Sequence, residues 1–212
     1  MPFLREINPA GEIRAGIWQI TETTEALLHH VHLSDPELKI FATLRNDLRK
    51  RHWLAYRALL KHLLAPLTTD ISYDLNGKPH LDSGSHFISV SHAGEYAAVV
   101  CSDKSAVGID IEQIKDRVER VKERFLQKHE LESITAENRL EQLYVYWGGK
   151  EALYKLHGKP NVDFRNDIYI HPFNYFCSTD QNVSAILTVG VCRYEHTLYF
   201  YKLDDYMLVV AY

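Results

Sequence analysis

Two short strings hold the residue types that could do chemistry. In Val107-Gly108-Ile109-Asp110-Ile111-Glu112, two acids alternate with Val107, Ile109 and Ile111. This period of two predicts a strand with its acids on one face and its aliphatic side chains on the other. In Trp147-Gly148-Gly149-Lys150-Glu151-Ala152-Leu153-Tyr154-Lys155, the residues Trp147, Glu151 and Lys155 fall at i, i+4 and i+8, a spacing that puts them on neighbouring turns of a helix. Brought side by side, the two strings would gather three carboxylates and an ammonium around one point. That set suits a divalent cation handling phosphate.

The elements that must position these groups read as follows. Residues Glu12 to Ile20 predict a first strand and Thr23 to Leu33 a short helix. A long helical pattern runs from Asp35-Pro36 to Leu64 through Leu38, Phe41, Leu44, Leu48, Leu54, Leu59 and Leu63. Asp35 reads as its N-cap, Pro36 as a first-turn residue and Pro66 as its stop. Asn76-Gly77-Lys78-Pro79 is turn chemistry. Phe87–Val90 and Tyr96–Cys101 predict strands joined through His92-Ala93-Gly94-Glu95, which makes His92 a turn residue. After the acidic strand, Lys115 to Lys128 predicts a basic amphipathic helix, with Asp116, Glu119 and Glu123 interleaved. Asn138 to His157 predicts the helix that carries Glu151, closed by Gly158. Strands are expected over 167–171, 183–189, 193–203 and 206–212. The order of elements is α+β, in two halves of similar make-up, 1–104 and 105–212.

Composition narrows the class. With 212 residues, 46% hydrophobic and 25% charged, the chain can bury a sizeable core and is globular rather than disordered. A formal charge of −4 argues against general nucleic-acid binding. Cys101, Cys177 and Cys192 are odd in number and lack metal-ligand spacing, which excludes a disulfide scaffold. The first twenty or so residues have no sustained apolar run, and no stretch approaches the length of a membrane span, so the expectation is a cytoplasmic protein without a membrane partner. His29-His30-x-His32 has no accompanying ligand signature and reads as surface or core-edge histidine.

Taken in register, these strings resemble a family. Ser89-Val90-Ser91-His92, Gly108-Ile109-Asp110-Ile111-Glu112 and Trp147-x-x-Lys150-Glu151-Ala152-x-x-Lys155 are similar, in order and spacing, to the signature of 4′-phosphopantetheinyl transferases of the larger, surfactin-synthetase-activating type. The Gly77-Lys78-Pro79 turn and the basic helix ending in Leu54-Ala55-x-Arg57-Ala58-Leu59-Leu60 look like that family as well. The resemblance runs from about residue 40 to 175.

It implies a monomer of two pseudo-symmetric α+β halves with coenzyme A bound between them. It also implies transfer of phosphopantetheine from coenzyme A to a serine of an apo acyl or peptidyl carrier protein, with release of adenosine 3′,5′-bisphosphate. By position, Asp110, Glu112 and Glu151 look like the ligands of Mg2+, with Mn2+ as a substitute. Glu151 is the candidate base for the carrier serine, and Lys155 the group that stabilises charge on the leaving phosphate. On the coenzyme A side, the resemblance implies that His92 contacts the 3′-phosphate with Ser91 beside it, that Lys78 reaches the nucleotide phosphates, and that Arg57 has the fork of donors that suits a 3′-phosphate; Arg51 is a further candidate. The basic segment Lys115–Lys128 suits the acidic helix that acyl carrier proteins present.

Plainer readings stand beside each assignment. Glu151 and Lys155 have the spacing of an ordinary surface ion pair, and Asn-Gly-Lys-Pro is a common turn. For the whole chain, the alternatives are a non-catalytic module binding coenzyme A or a carrier protein, and another magnesium-dependent phosphoryl-transfer enzyme.

Overall fold

The structure is a computed structural model and describes residues 3–177 and 180–212, the side chains of Phe3 and Leu4 excepted. The chain divides into two compact units, Met1–Ala106 and Val107–Tyr212.

The first unit is an antiparallel sheet with one long helix on it. Its strands are β1 (Phe3–Ala10), β2 (Ile13–Gln19), β5 (Phe87–Ala93) and β6 (Tyr96–Ser102), in the order β1-β2-β6-β5. A short hairpin of β3 (Ile71–Tyr73) and β4 (Pro79–Leu81) stands apart from that sheet. The helices are α1 (Thr24–Leu28), α2 (Asp35–Thr43) and α3 (Asp47–Leu64). Leu54, Leu59, Leu60 and Leu63 of α3 are fully buried with Ala97 and Val99 of β6, each such leucine contributing about 2 kcal/mol on burial.

Several sequence expectations are corrected here. The helical pattern from Asp35 to Leu64 is two helices, because the backbone at Leu44 turns extended (ψ 116°) and Asn46 starts a new helix by accepting from Arg49 N–H at 3.0 Å. The first of them is capped by Ser34 rather than Asp35, through a capping box with Glu37. The expected Thr23–Leu33 helix stops at Leu28, and a strand precedes the one expected first. His92 lies within β5, opposite Ala97, and not in the turn; the reversal is confined to Gly94 and Glu95.

The second unit repeats the plan of a sheet under one long helix. Its strands are β7 (Gly108–Gln113), β8 (Ile168–Ile170), β9 (Gln181–Val189), β10 (Cys192–Leu203) and β11 (Tyr206–Ala211), ordered β7-β11-β10-β9-β8, with every neighbouring pair antiparallel. Asp110 pairs with Val209 and Glu112 with Met207 across β7 and β11. The helix is α6 (Arg139–His157), ended by Gly158 at φ 70°. The continuous basic helix expected over 115–128 is instead a 3-10 turn (Asp116–Arg120), α4 (Lys122–Phe125) and the start of α5 (Lys128–Glu132). Its charges are partly consumed locally: Arg117 by Glu112, and Lys122 by Glu119, which also receives Arg139. Among the described residues, no helix is long and apolar enough to cross a membrane.

Candidate active site

In the second unit, glycine brings strand and helix together. A Cβ on Gly108 would sit on the carbonyl oxygen of Ala152, so β7 can approach α6 backbone to backbone only with glycine at that position. One turn earlier on α6, a Cβ on Gly148 would lie 3.0 Å from Val209 Cγ2 and 3.5 Å from Asp110 Oδ2. This close seating is what places Glu151 and Lys155 of α6 beside Asp110 and Glu112 of β7.

The resulting contacts are specific. Lys155 Nζ donates to Asp110 Oδ1 at 2.8 Å and to the carbonyl oxygen of Ile109 at 3.0 Å. Asp110 is 4% exposed, whereas Glu112 and Glu151 are half-buried. Burial raises the Glu151 carboxyl to about 7, helped by the negative charge of Asp110 and of Glu112 and opposed by Lys155. Glu112 is also pushed above the usual carboxylate range, first by burial and then by Asp110; the Trp147 side chain and Arg117 oppose the shift. Arg117 Nη2 donates to Glu112 Oε2 at 3.2 Å. A carboxyl near 7 is poised to exchange a proton at neutral pH, as a general base or acid must.

Three carboxylates from a strand and a helix are the hard-oxygen donors that magnesium and manganese take. By chemistry the set fits a divalent cation. As placed, no three Asp, Glu, His or Cys side chains among the described residues are arranged to hold a metal ion. The Lys155 ammonium stands on one Asp110 oxygen, where a cation would compete with it.

Around this group aromatic side chains pack, edge to face for Trp147 and Phe125 and tilted for the Phe164 pairs. Trp147 meets Phe125 at 5.0 Å and Phe164 at 5.9 Å between ring centroids, and Tyr154 meets Phe164 at 5.6 Å. Lys150, next to Glu151 in sequence, points inward. It is 0% exposed and donates to Glu130 Oε2 at 2.9 Å and to the carbonyls of Phe164 and Ile168 at 2.8 and 2.7 Å. Glu130 also accepts from the backbone N–H of Gln127 and Ile170. This buried pair ties α5, the 164–168 loop and β8 to α6, and the sequence reading had not assigned it a role.

In the first unit the expected coenzyme A contacts fall into separate environments. His92 is exposed and stacks on His52 of α3, with centroids 4.3 Å apart and planes 10° from parallel. Arg51, the preceding residue of α3, is half-buried, with Nε 3.0 Å from Asp47 Oδ2. Lys78 is half-buried at the base of the 74–78 turn, where Asp74 Oδ1 accepts from the backbone N–H of both Asn76 and Lys78; burial lowers its pKa. Ser91 is buried although its neighbour His92 is exposed, since successive strand residues point to opposite faces. The two therefore point to opposite faces of β5.

Arg57 departs furthest from expectation. It is 3% exposed, as is its partner Glu37; Nε donates to Glu37 Oε1 at 2.9 Å and Nη1 to Tyr56 Oη at 2.6 Å. Its guanidinium carbon lies 3.3 Å over the Trp53 ring. As placed, this arginine ties α2 to α3 through Nε, while its Nη2 is buried with no hydrogen-bond partner. The clue in the sequence is Ser34-x-x-Glu37, an acid that follows a cap and can serve both. The triad His29, His30 and His32 is exposed and forms no metal cluster among the described residues.

Comparison with known proteins points the same way as the second unit's geometry. Residues 106–197 match the family model of the 4′-phosphopantetheinyl transferase superfamily. The chain is 36% identical over 119 residues to the 4′-phosphopantetheinyl transferase AcpT of Escherichia coli (strain K12), covering 52% of this chain and 59% of that protein. It is 31% identical over 125 residues to AcpT of Salmonella typhimurium (56% of this chain, 65% of that protein). Against the 4′-phosphopantetheinyl transferase Sfp of Bacillus subtilis (strain 168), identity is 31% over 122 residues (50% and 53%). In each case the match spans less than two thirds of the relative. Asp110, Glu112, Glu151 and Lys155 all lie inside the stretch, 106–197, that matches the model of the 4′-phosphopantetheinyl transferase superfamily.

Proposed function

We propose that this protein transfers the 4′-phosphopantetheine group of coenzyme A to a serine of an apo acyl or peptidyl carrier protein and releases adenosine 3′,5′-bisphosphate, with Mg2+, or Mn2+ in its place, as the metal. The observation that carries the reading is the Glu151 carboxyl raised to about 7 beside Asp110, Glu112 and Lys155, within the stretch matched by the family model.

The chemistry asks for a proton acceptor at the serine hydroxyl and for positive charge at a pyrophosphate. When bound, the cation supplies Lewis-acid polarisation of the pyrophosphate, and Asp110, Glu112 and Glu151 would hold it. Glu151 takes the proton from the serine Oγ as the new Oγ–P bond forms and the P–O bond to adenosine bisphosphate breaks. Lys155, which donates to Asp110 Oδ1, carries an ammonium to the leaving phosphate oxygens. In the first unit, His92, Lys78 and Arg51 supply donors for the nucleotide phosphates. Ser91 and Arg57 act by packing, given their burial. Of the exposed cations in the 115–128 segment, Arg120 and Arg124 are among those suited to an acidic carrier helix.

The test is the intact mass of purified apo carrier proteins, one of a fatty-acid and one of a peptide-synthesis type, after incubation with the protein and coenzyme A. A gain of one phosphopantetheine that chelator abolishes supports the proposal. Stoichiometric coenzyme A binding with no gain on either carrier would replace it with a binding module.

A further inference from the structure

The His52–His92 stack has a property that a chance contact would lack: the lower ring is locked. His52 is 6% exposed, and its Nε2 lies 2.7 Å from the carbonyl oxygen of Gly94. A carbonyl only accepts, so Nε2 carries the proton and the ring plane is held by that bond. Gly94, at φ 53°, makes the reversal between β5 and β6. The buried imidazole of α3 thus grips the turn two residues beyond His92 and lies flat under the His92 ring. Burial, with the Arg51 charge adding to it, holds His52 below the usual imidazole range against the Gly94 bond, so a neutral ring faces His92.

We propose that His52 is a positioning residue for His92: its ring is a fixed platform that confines the exposed imidazole to one plane and so aims the His92 nitrogens at the 3′-phosphate of coenzyme A. The inference rests on the phosphate-binding reading of His92 above. His52 itself is too buried to reach the ligand, and its Nε2 proton is committed to Gly94. Its effect is orientational: an exposed imidazole on a strand end rotates about two side-chain torsions, and covering one face of the ring removes most of that freedom before the ligand arrives.

The experiment compares calorimetric affinities for coenzyme A and 3′-dephospho-coenzyme A in the full chain carrying His92→Ala, His52→Phe or His52→Gln. Phe keeps the platform without the Gly94 bond, whereas Gln keeps a donor for Gly94 without the ring. If the platform matters, wild type prefers coenzyme A, His92→Ala abolishes that preference, Phe retains most of it, and Gln lowers it about tenfold, the size of one charge-assisted hydrogen bond. Equal preference in the Gln variant and wild type, with His92→Ala defective, overturns the positioning role alone. An unchanged preference in His92→Ala overturns the phosphate reading of His92 and this role with it. Should Gln outperform Phe, the turn bond rather than the stack does the positioning, and the proposal is wrong.

Discussion

Lys155 bridges two neighbouring residues of β7, donating to the side chain of Asp110 at 2.8 Å and to the backbone carbonyl of Ile109 at 3.0 Å. The ammonium therefore has two jobs that pull apart. It neutralises a carboxylate that is almost fully buried, and it occupies an oxygen that a cation would need. Lys155→Met should slow transfer by about a hundredfold or more, as the loss of a preorganised charge does elsewhere, without weakening Mn2+ binding, because a competitor for Asp110 has gone. Single-turnover transfer and Mn2+ titration by electron paramagnetic resonance read the two effects separately. Transfer at near the wild-type rate would remove Lys155 from the machinery. Weaker Mn2+ binding would mean that the ammonium orders Asp110 rather than competes for it.

Glu151 gives the site a pH dependence with a definite sign. Its carboxyl is raised from 4.5 to about 7, so between those values the folded protein holds a proton that the unfolded chain has lost. Without metal, the stability that this proton contributes is present in full below the ordinary carboxylate range and is lost as pH rises through about 7. Cation binding needs the ionised form and runs the other way, strengthening with pH until about 7 and then levelling. In Glu151→Gln both slopes should flatten. Thermal unfolding in chelator and Mn2+ titration, each at about pH 5 and about pH 8, check the sign. A wild-type Mn2+ affinity that does not change with pH would contradict the environment assigned to Glu151.

Gly108 is the position where the site depends on packing alone. A methyl group there meets the Ala152 carbonyl and comes within 2.9 Å of Leu156 N, both backbone and unable to move aside. Gly108→Ala should cost about 3 kcal/mol or more in urea unfolding, the upper end of overpacking effects. Gly148→Ala meets a valine side chain at 3.0 Å and should cost clearly less, while disturbing Asp110. A Gly108→Ala variant of wild-type stability would mean that β7 and α6 are not seated as described.

The parts of this architecture that were legible in the sequence are those set by local periodicity. The alternation around Asp110 and Glu112 placed β7, and the i, i+4 spacing from Trp147 to Lys155 with Gly158 behind it placed α6. What was illegible depends on partners distant in sequence. Nothing local marks Lys150 as the inward-facing residue of Lys150-Glu151, since only the Glu130 carboxylate and the Phe164 and Ile168 carbonyls make burying it tolerable. The break at Leu44–Asn46 was hidden because the apolar spacing continues through it; Asn46, a residue that caps as readily as it continues a turn, was the signal. The basic run after Glu112 looked helical by composition, but Arg117 and Lys122 within it are drawn into ion pairs across short turns.

Arg57 provides the sharpest contest between the family resemblance and the geometry. If it is a phosphate ligand, replacing it weakens coenzyme A binding in a stable protein; if it is only a clamp, replacing it destabilises the first unit and leaves the affinity of the folded protein unchanged. Arg57→Met strands the Glu37 carboxylate, 3% exposed, and should cost about 3–5 kcal/mol. The double variant Arg57→Met, Glu37→Met should cost clearly less than the sum of the single changes, because neither charge is then left unpaired. Arg57→Lys keeps the charge but loses the fork and the stacking on Trp53. At a temperature where it remains folded, its coenzyme A affinity should stay within about twofold of wild type, whereas loss of a phosphate contact would cost about tenfold or more. Urea unfolding and calorimetry on these three variants and on Glu37→Met decide the matter. A stable Arg57→Lys with a tenfold weaker affinity would return this arginine to the ligand.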